Sequence, residues 1–102
     1  MLVRGVGPSL APFGVVMPLS DPAIALYRQG EQTPFATNDN WDEQPNADEI
    51  AQTTTSMGIF PLASGSLDAA HLVELPAGAY TVHLNANGDE AGTALIEIYI
   101  VP

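Results

Sequence analysis

Period-two alternation of apolar and polar side chains runs through the second half of the chain. Ala69, His71, Val73 and Leu75 share one face of a strand; Tyr80, Val82 and Leu84 share a face of the next, with Thr81, His83 and Asn85 opposite. Ala94, Ile96, Ile98 and Ile100 alternate with Leu95, Glu97, Tyr99 and Val101, so the last strand is apolar on both faces apart from Glu97. Such a strand is expected at the centre of a sheet or beneath a covering element. Pro76-Ala77-Gly78 and Asn87-Gly88, the latter extended by Asp89-Glu90, supply the turns between strands.

The first half is more broken. Leu2 to Val6 reads as a short strand closed by Gly7-Pro8, and Pro12, Gly14, Pro18 and Pro22 then keep an apolar stretch from remaining helical. Ala23 to Arg28 is predicted as a strand with Ile24 and Leu26 on one face, Gln29-Gly30-Glu31 as a turn, and Pro34-Phe35-Ala36 as a short return strand. One helix is expected. Asn46 stands where a cap belongs, with Glu49 three residues on in a capping-box pattern, and Ala47, Ile50, Ala51 and Thr54 at helical spacing. Thr53-Thr54-Thr55 is poor helix material, so the helix is predicted to end or fray there, with Gly58 as a stop. Short strands divided by turn signals predict an all-β fold, an antiparallel β-sandwich of jelly-roll or immunoglobulin-like type with one short helix in a crossover.

Composition narrows the partners. Two basic residues, Arg4 and Arg28, face twelve acidic ones, for a net charge of -10 over 102 residues. That surface repels nucleic-acid phosphates and anionic lipid, and it favours cations that relieve self-repulsion. No Cys is present, which removes disulfides and thiolate metal sites, and no apolar run approaches the length of a membrane span. The length fits one domain, 1–102, and the abrupt strand-like start at Met1-Leu2-Val3-Arg4 reads as a module cut from a longer multidomain protein.

The densest chemistry is Thr37-Asn38-Asp39-Asn40-Trp41-Asp42-Glu43, carboxylates and amides around the one tryptophan. Asn38, Asn40 and Asp42 with Glu49 imitate the spacing of a helix-flanked Ca²⁺ loop, but Asn leads, Glu43 takes the Gly position and Pro45 intrudes, so an EF-hand is rejected. Two readings stay open. Hard oxygens from Asn38, Asp39, Asn40 and Asp42, with Asp48 or Asp68, would hold Ca²⁺ in another geometry. Alternatively the loop is an Asx-rich turn that bonds its own backbone and introduces the helix, the preferred reading. Trp41 is either a stacking platform for a sugar ring or peptide or, preferably, a core anchor at the end of the fold.

Nothing in the chain assembles a catalytic constellation. His71 lies in the apolar series of its strand and His83 in the polar series of the next, so they should face opposite ways. Ser64-Gly65-Ser66 lacks the nucleophile elbow, and paired acids such as Asp39 and Asp42 are commonplace in an acidic chain. The chain is therefore expected not to be an enzyme.

Several ordered blocks carry a resemblance. Leu2-Val3-Arg4-Gly5-Val6-Gly7-Pro8-Ser9-Leu10, Ser20-Asp21-Pro22, Leu26-Tyr27, Thr37-Asn38-Asp39-Asn40-Trp41, Asp68-Ala69-Ala70 and Pro76-Ala77-Gly78-Ala79-Tyr80-Thr81 resemble a module repeated in large secreted or surface proteins of Verrucomicrobia and related bacteria. The second half is also distantly similar to the bacterial pre-peptidase C-terminal domain. His71 departs from the pattern, which has an aliphatic residue there. The resemblance implies an extracellular, secreted or cell-surface accessory β-sandwich, sometimes with Ca²⁺, in tandem arrays. Expected partners are neighbouring modules or copies of itself through apolar edge strands, or a polysaccharide; nucleic acid and membrane insertion are not expected.

Overall fold

Leu2–Val6 (β1) is buried along its whole length, and that fact organises the rest. In the computed structural model, which describes residues 1–88 and 91–101, β1 lies between Ala69–Leu72 (β4) and Leu95–Tyr99 (β6), antiparallel to both. Its alternating side chains serve two cores. Leu2 and Val6 join Leu10, Trp41, Ile50, Leu62 and Ala70 on one side, while Val3 joins Ile24, Leu26 and Ala69 on the other. The first core is roofed by the helix Ala47–Ser56 (α1), through Ile50, and by the segment around Ile59 to Leu62.

The second core is closed by another antiparallel sheet of three strands, in the order Ala36–Asn38 (β3), Pro22–Arg28 (β2), Tyr80–Ala86 (β5). Ile24 and Leu26 of β2 point inward as the alternation predicts. The sheets approach closely: a Cβ built on Gly5 would lie 2.7 Å from Ile24 Cγ2. Gly7 is confined even more, since its Cβ would meet the Leu19 carbonyl oxygen at 2.1 Å. The described residues are thus predominantly β, two three-stranded antiparallel sheets with one α-helix. Among the described residues no helix is long and apolar enough to cross a membrane.

Several expectations are corrected. The proline-rich stretch after β1 forms a 3-10 helix at Pro8–Phe13, whose i to i+3 bonding tolerates Pro12 over a short run. The return strand sits later, at Ala36–Asn38. Asn46 makes no side-chain cap bond, so the capping box is not formed, and α1 runs through the threonine triplet to Ser56. Thr54 is buried there and Thr55 Oγ1 donates to the Ala51 carbonyl at 3.1 Å, so packing and back-bonding hold a stretch that propensity disfavours. β6 is neither central nor fully covered: among the described residues it is an edge strand, with Ile98 52% exposed. Asn87-Gly88 does form a bend, and its extension Asp89-Glu90 lies outside the described residues.

Candidate functional site

The acidic loop leaves β3 at Asn38 and enters a 3-10 turn at Trp41–Glu43, and Asn38, Asp39 and Asp42 are each held by different partners. Asn38 Oδ1 accepts from the Ala70 N–H at 2.9 Å, tying the loop to β4, while its amide donates to the Asn40 carbonyl at 3.2 Å. Asp42 Oδ2 accepts from the Gly65 N–H at 2.6 Å and from Ser64 Oγ at 3.3 Å, which fixes the Ala63–Ser66 turn. Asp48 is exposed in the first turn of α1, where a carboxylate favours the helix dipole. Asn40 Oδ1 is buried without a partner among the described residues.

Trp41 is only 6% exposed and belongs to the first core. Its indole N–H donates to the Ala63 carbonyl and to Ser66 Oγ, both at 3.2 Å, and its backbone N–H donates to the Asp68 carbonyl at 2.9 Å. Asp68 is fully buried beneath it. Its carboxylate accepts from the Gly7 N–H at 2.8 Å, the Ser9 N–H at 3.2 Å, Ser9 Oγ at 2.5 Å and Ser66 Oγ at 2.6 Å. Backbone and hydroxyl donors thus satisfy a charge that would otherwise be costly to bury. Asp68 joins the first loop of the chain to a segment about sixty residues later; it is a structural clamp at the foot of β1.

Asp39 goes elsewhere, and there the fold gathers residues that the sequence reading did not connect. Asn87 Nδ2 donates to Asp39 Oδ2 at 2.9 Å and to Asp21 Oδ2 at 3.2 Å, and the Asn87 N–H donates to the Asp21 carbonyl at 2.8 Å. Asp21 Oδ1 is buried without a partner among the described residues. Asp21 and Asp39 therefore present carboxylate oxygens at one corner of the second sheet, tied together by the Asn87 amide N–H groups. Among the described residues no three His, Asp or Glu side chains converge as a metal site. The corner opens onto the outer face of that sheet, where Ala23, Ala25, Thr37, Asn38, Asp39, Asn85 and Asn87 line an open polar groove of about 430 Å³.

The histidines lie in different layers. His71 pairs with Val3 across β1 and shares the face that looks toward the second sheet, where burial lowers its pKa below the ordinary imidazole value and Nδ1 has no partner among the described residues. His83 pairs with Ala25, is exposed on the outer face, and stacks on Tyr27 with ring centroids 4.7 Å apart.

A buried ion pair was not anticipated. Arg4 is wholly buried in mid-strand, its Nε 3.0 Å from Glu97 Oε1 on β6 at an angle outside hydrogen-bond geometry. Nη1 donates to the Phe60 carbonyl at 2.8 Å, and the guanidinium covers the Phe60 ring, 4.4 Å from its centroid. Burial lowers the Arg4 pKa, opposed chiefly by the charge of Glu97; burial raises that of Tyr99, whose hydroxyl donates to Glu97 Oε2 at 2.5 Å. The signal was present in the sequence: one lone charge in each of two apolar strands, of opposite sign. Comparison with known protein families, curated proteins and solved structures gave no match.

Proposed function

We propose that this chain is a non-catalytic structural or adhesive β-sandwich module, of jelly-roll or immunoglobulin-like type, that works outside the cell as one unit of a larger exported protein. The observation that carries this reading is the burial of Trp41, with its indole N–H already bonded. The aromatic ring best suited to stack on a ligand is a core anchor, and Asp68, a fully buried carboxylate, is consumed by the Gly7 to Ser9 loop. Buried polar groups that serve packing are what a scaffold needs. Ca²⁺ enters the reading as an ion of the Asp21–Asp39 corner, where an unpartnered carboxylate oxygen beside a second carboxylate suits a hard cation.

The outer groove favours a second reading, a polysaccharide-targeting accessory module, because amides, the Thr37 hydroxyl and Asp39 line it and Tyr27 stands on the same face. Affinity electrophoresis on soluble bacterial and plant polysaccharides separates the two. The structural reading expects unchanged mobility on every polymer and no turnover of glycoside or ester substrates. Saturable retardation, lost in Asn85→Ala and kept in Trp41→Phe, would transfer the function to the groove.

A further inference from the structure

We propose that β6 is a self-association edge, and that it pairs antiparallel with β6 of a second copy of this chain. The proposal deepens the scaffold reading by naming the partner. β6 bonds to β1 on one side, and among the described residues no strand lies on the other. The Pro18–Leu19 segment does not cover that free edge. It bridges to Thr93 on the β1 side, its Leu19 lying against both Gly7 and Gly92. Alternate N–H and C=O groups of β6 are thus left facing outward, a template for another strand.

The side chains agree with the backbone. Ile98 stands opposite Val3 and Ile96 opposite Gly5, so both look toward the second sheet. Val3 is fully buried, whereas Ile96 is 43%, Ile98 52% and Ile100 76% exposed. Cover from the second sheet therefore stops between β1 and β6. Met17, whose backbone carbonyl accepts from the Thr93 N–H just before β6, is exposed as well, as is Val16. Edge strands are ordinarily guarded by Lys, Pro, a bulge or a cap. Leu95–Tyr99 has none of these residues, and its one charge, Glu97, lies on the opposite face and is paired with Arg4.

A second copy fits because the strand is self-complementary in one register. Pairing about Ile98 sets Ile98 against Ile98, Ile96 against Ile100, Leu95 against Val101 and Glu97 against Tyr99. Centred one residue earlier, Glu97 would oppose Glu97, and like charges directly opposite are unfavourable. The rest of the surface, in a chain of net charge -10, repels its own kind, which restricts association to this uncharged strip. The product is a closed two-fold dimer with a continuous six-stranded sheet, β4-β1-β6-β6-β1-β4, and an isoleucine ladder along the junction.

The register gives a direct test, because the chain contains no Cys. Sedimentation equilibrium is expected to show a monomer–dimer equilibrium in the micromolar range, the weak class for a small interface. Ile98→Cys under a glutathione redox buffer should form a covalent dimer at least roughly tenfold faster than Glu31→Cys on an exposed turn. Ile96→Cys alone, whose copies would lie about 13 Å apart, should stay reduced, while mixed with Ile100→Cys it should cross-link. Ile98→Lys, or Ile100→Lys if the first does not fold, should weaken association by roughly a hundredfold with unchanged circular dichroism. A monomer at millimolar concentration, or cross-linking at Ile96 as fast as at Ile98, overturns the proposal. Either result leaves the scaffold reading standing, since that reading falls to polysaccharide binding or turnover.

Discussion

Arg4 is fully buried, and its surroundings compensate for the lost hydration only in part. Nε faces Glu97, Nη1 has the Phe60 carbonyl, and Nη2 has no partner among the described residues. In such a site the pair and its desolvation nearly cancel, so the useful contrast is between removing one partner and removing both. Glu97→Ala should cost about 3 kcal/mol or more, because it strands a buried guanidinium and takes the acceptor from Tyr99. Arg4→Met combined with Glu97→Leu should cost less than either single change, and urea unfolding of the four variants measures it. Equal costs for the double and the sum of singles would mean that the two charges do not interact. The sequence displayed these charges as lone interruptions of two apolar strands, yet it could not state that β1 and β6 are neighbours. Asp68 was less legible still. A carboxylate before a strand looks like a metal donor or a solvated cap, and only the return of Gly7 to Ser9 shows what it holds.

At the scale of elements, alternation identified faces well and neighbours hardly at all. Ile24 and Leu26 turn inward as the pattern requires, and His71 and His83 lie in different layers. Successive strands β4 and β5, however, belong to different sheets, because the Val73 to Ala79 connection crosses over rather than forming a hairpin. The loss of register information has a simple cause: period two says which way a side chain points, while pairing depends on contacts distant in sequence. The helix makes the complementary point. Its apolar positions were legible, but its boundaries followed tertiary packing of Ile50 and Thr54 rather than the threonine propensities or the cap. Since the Asn46 side chain bonds no backbone N–H, Asn46→Ala should change stability by less than about 0.5 kcal/mol, below the roughly 1 kcal/mol of a working cap. Chemical denaturation decides this, and a loss above about 1 kcal/mol would show that the cap forms in solution.

For the whole molecule the dominant electrostatic term is self-repulsion. Twelve acidic groups face two arginines, and one of those is buried against Glu97 and so offers little to the surface. Screening should therefore stabilise: Tm is expected to rise as NaCl goes from low millimolar to about 0.5 M, where the Debye length shrinks to a few ångströms. That response is common to all salts and says nothing of a site. The Asp21–Asp39 corner makes a different demand, because two carboxylates share one Asn87 amide and one oxygen has no donor. A Ca²⁺ ion there would bind the folded chain and not the unfolded one, since the two aspartates meet only through the sheet. At tenfold excess over Kd such a site contributes about 1.4 kcal/mol, a rise of roughly 5 to 10 °C for a chain this size. The decisive comparison is melting in EDTA, then in Ca²⁺ and in Mg²⁺ at matched ionic strength. Ca²⁺ should raise Tm beyond Mg²⁺, and Asp39→Ala should erase the excess. Asp42→Ala should not, because Asp42 holds the Gly65 turn away from that corner. Equal rises with both cations would reduce the corner to a hydrogen-bonded turn and leave screening as the whole of the effect.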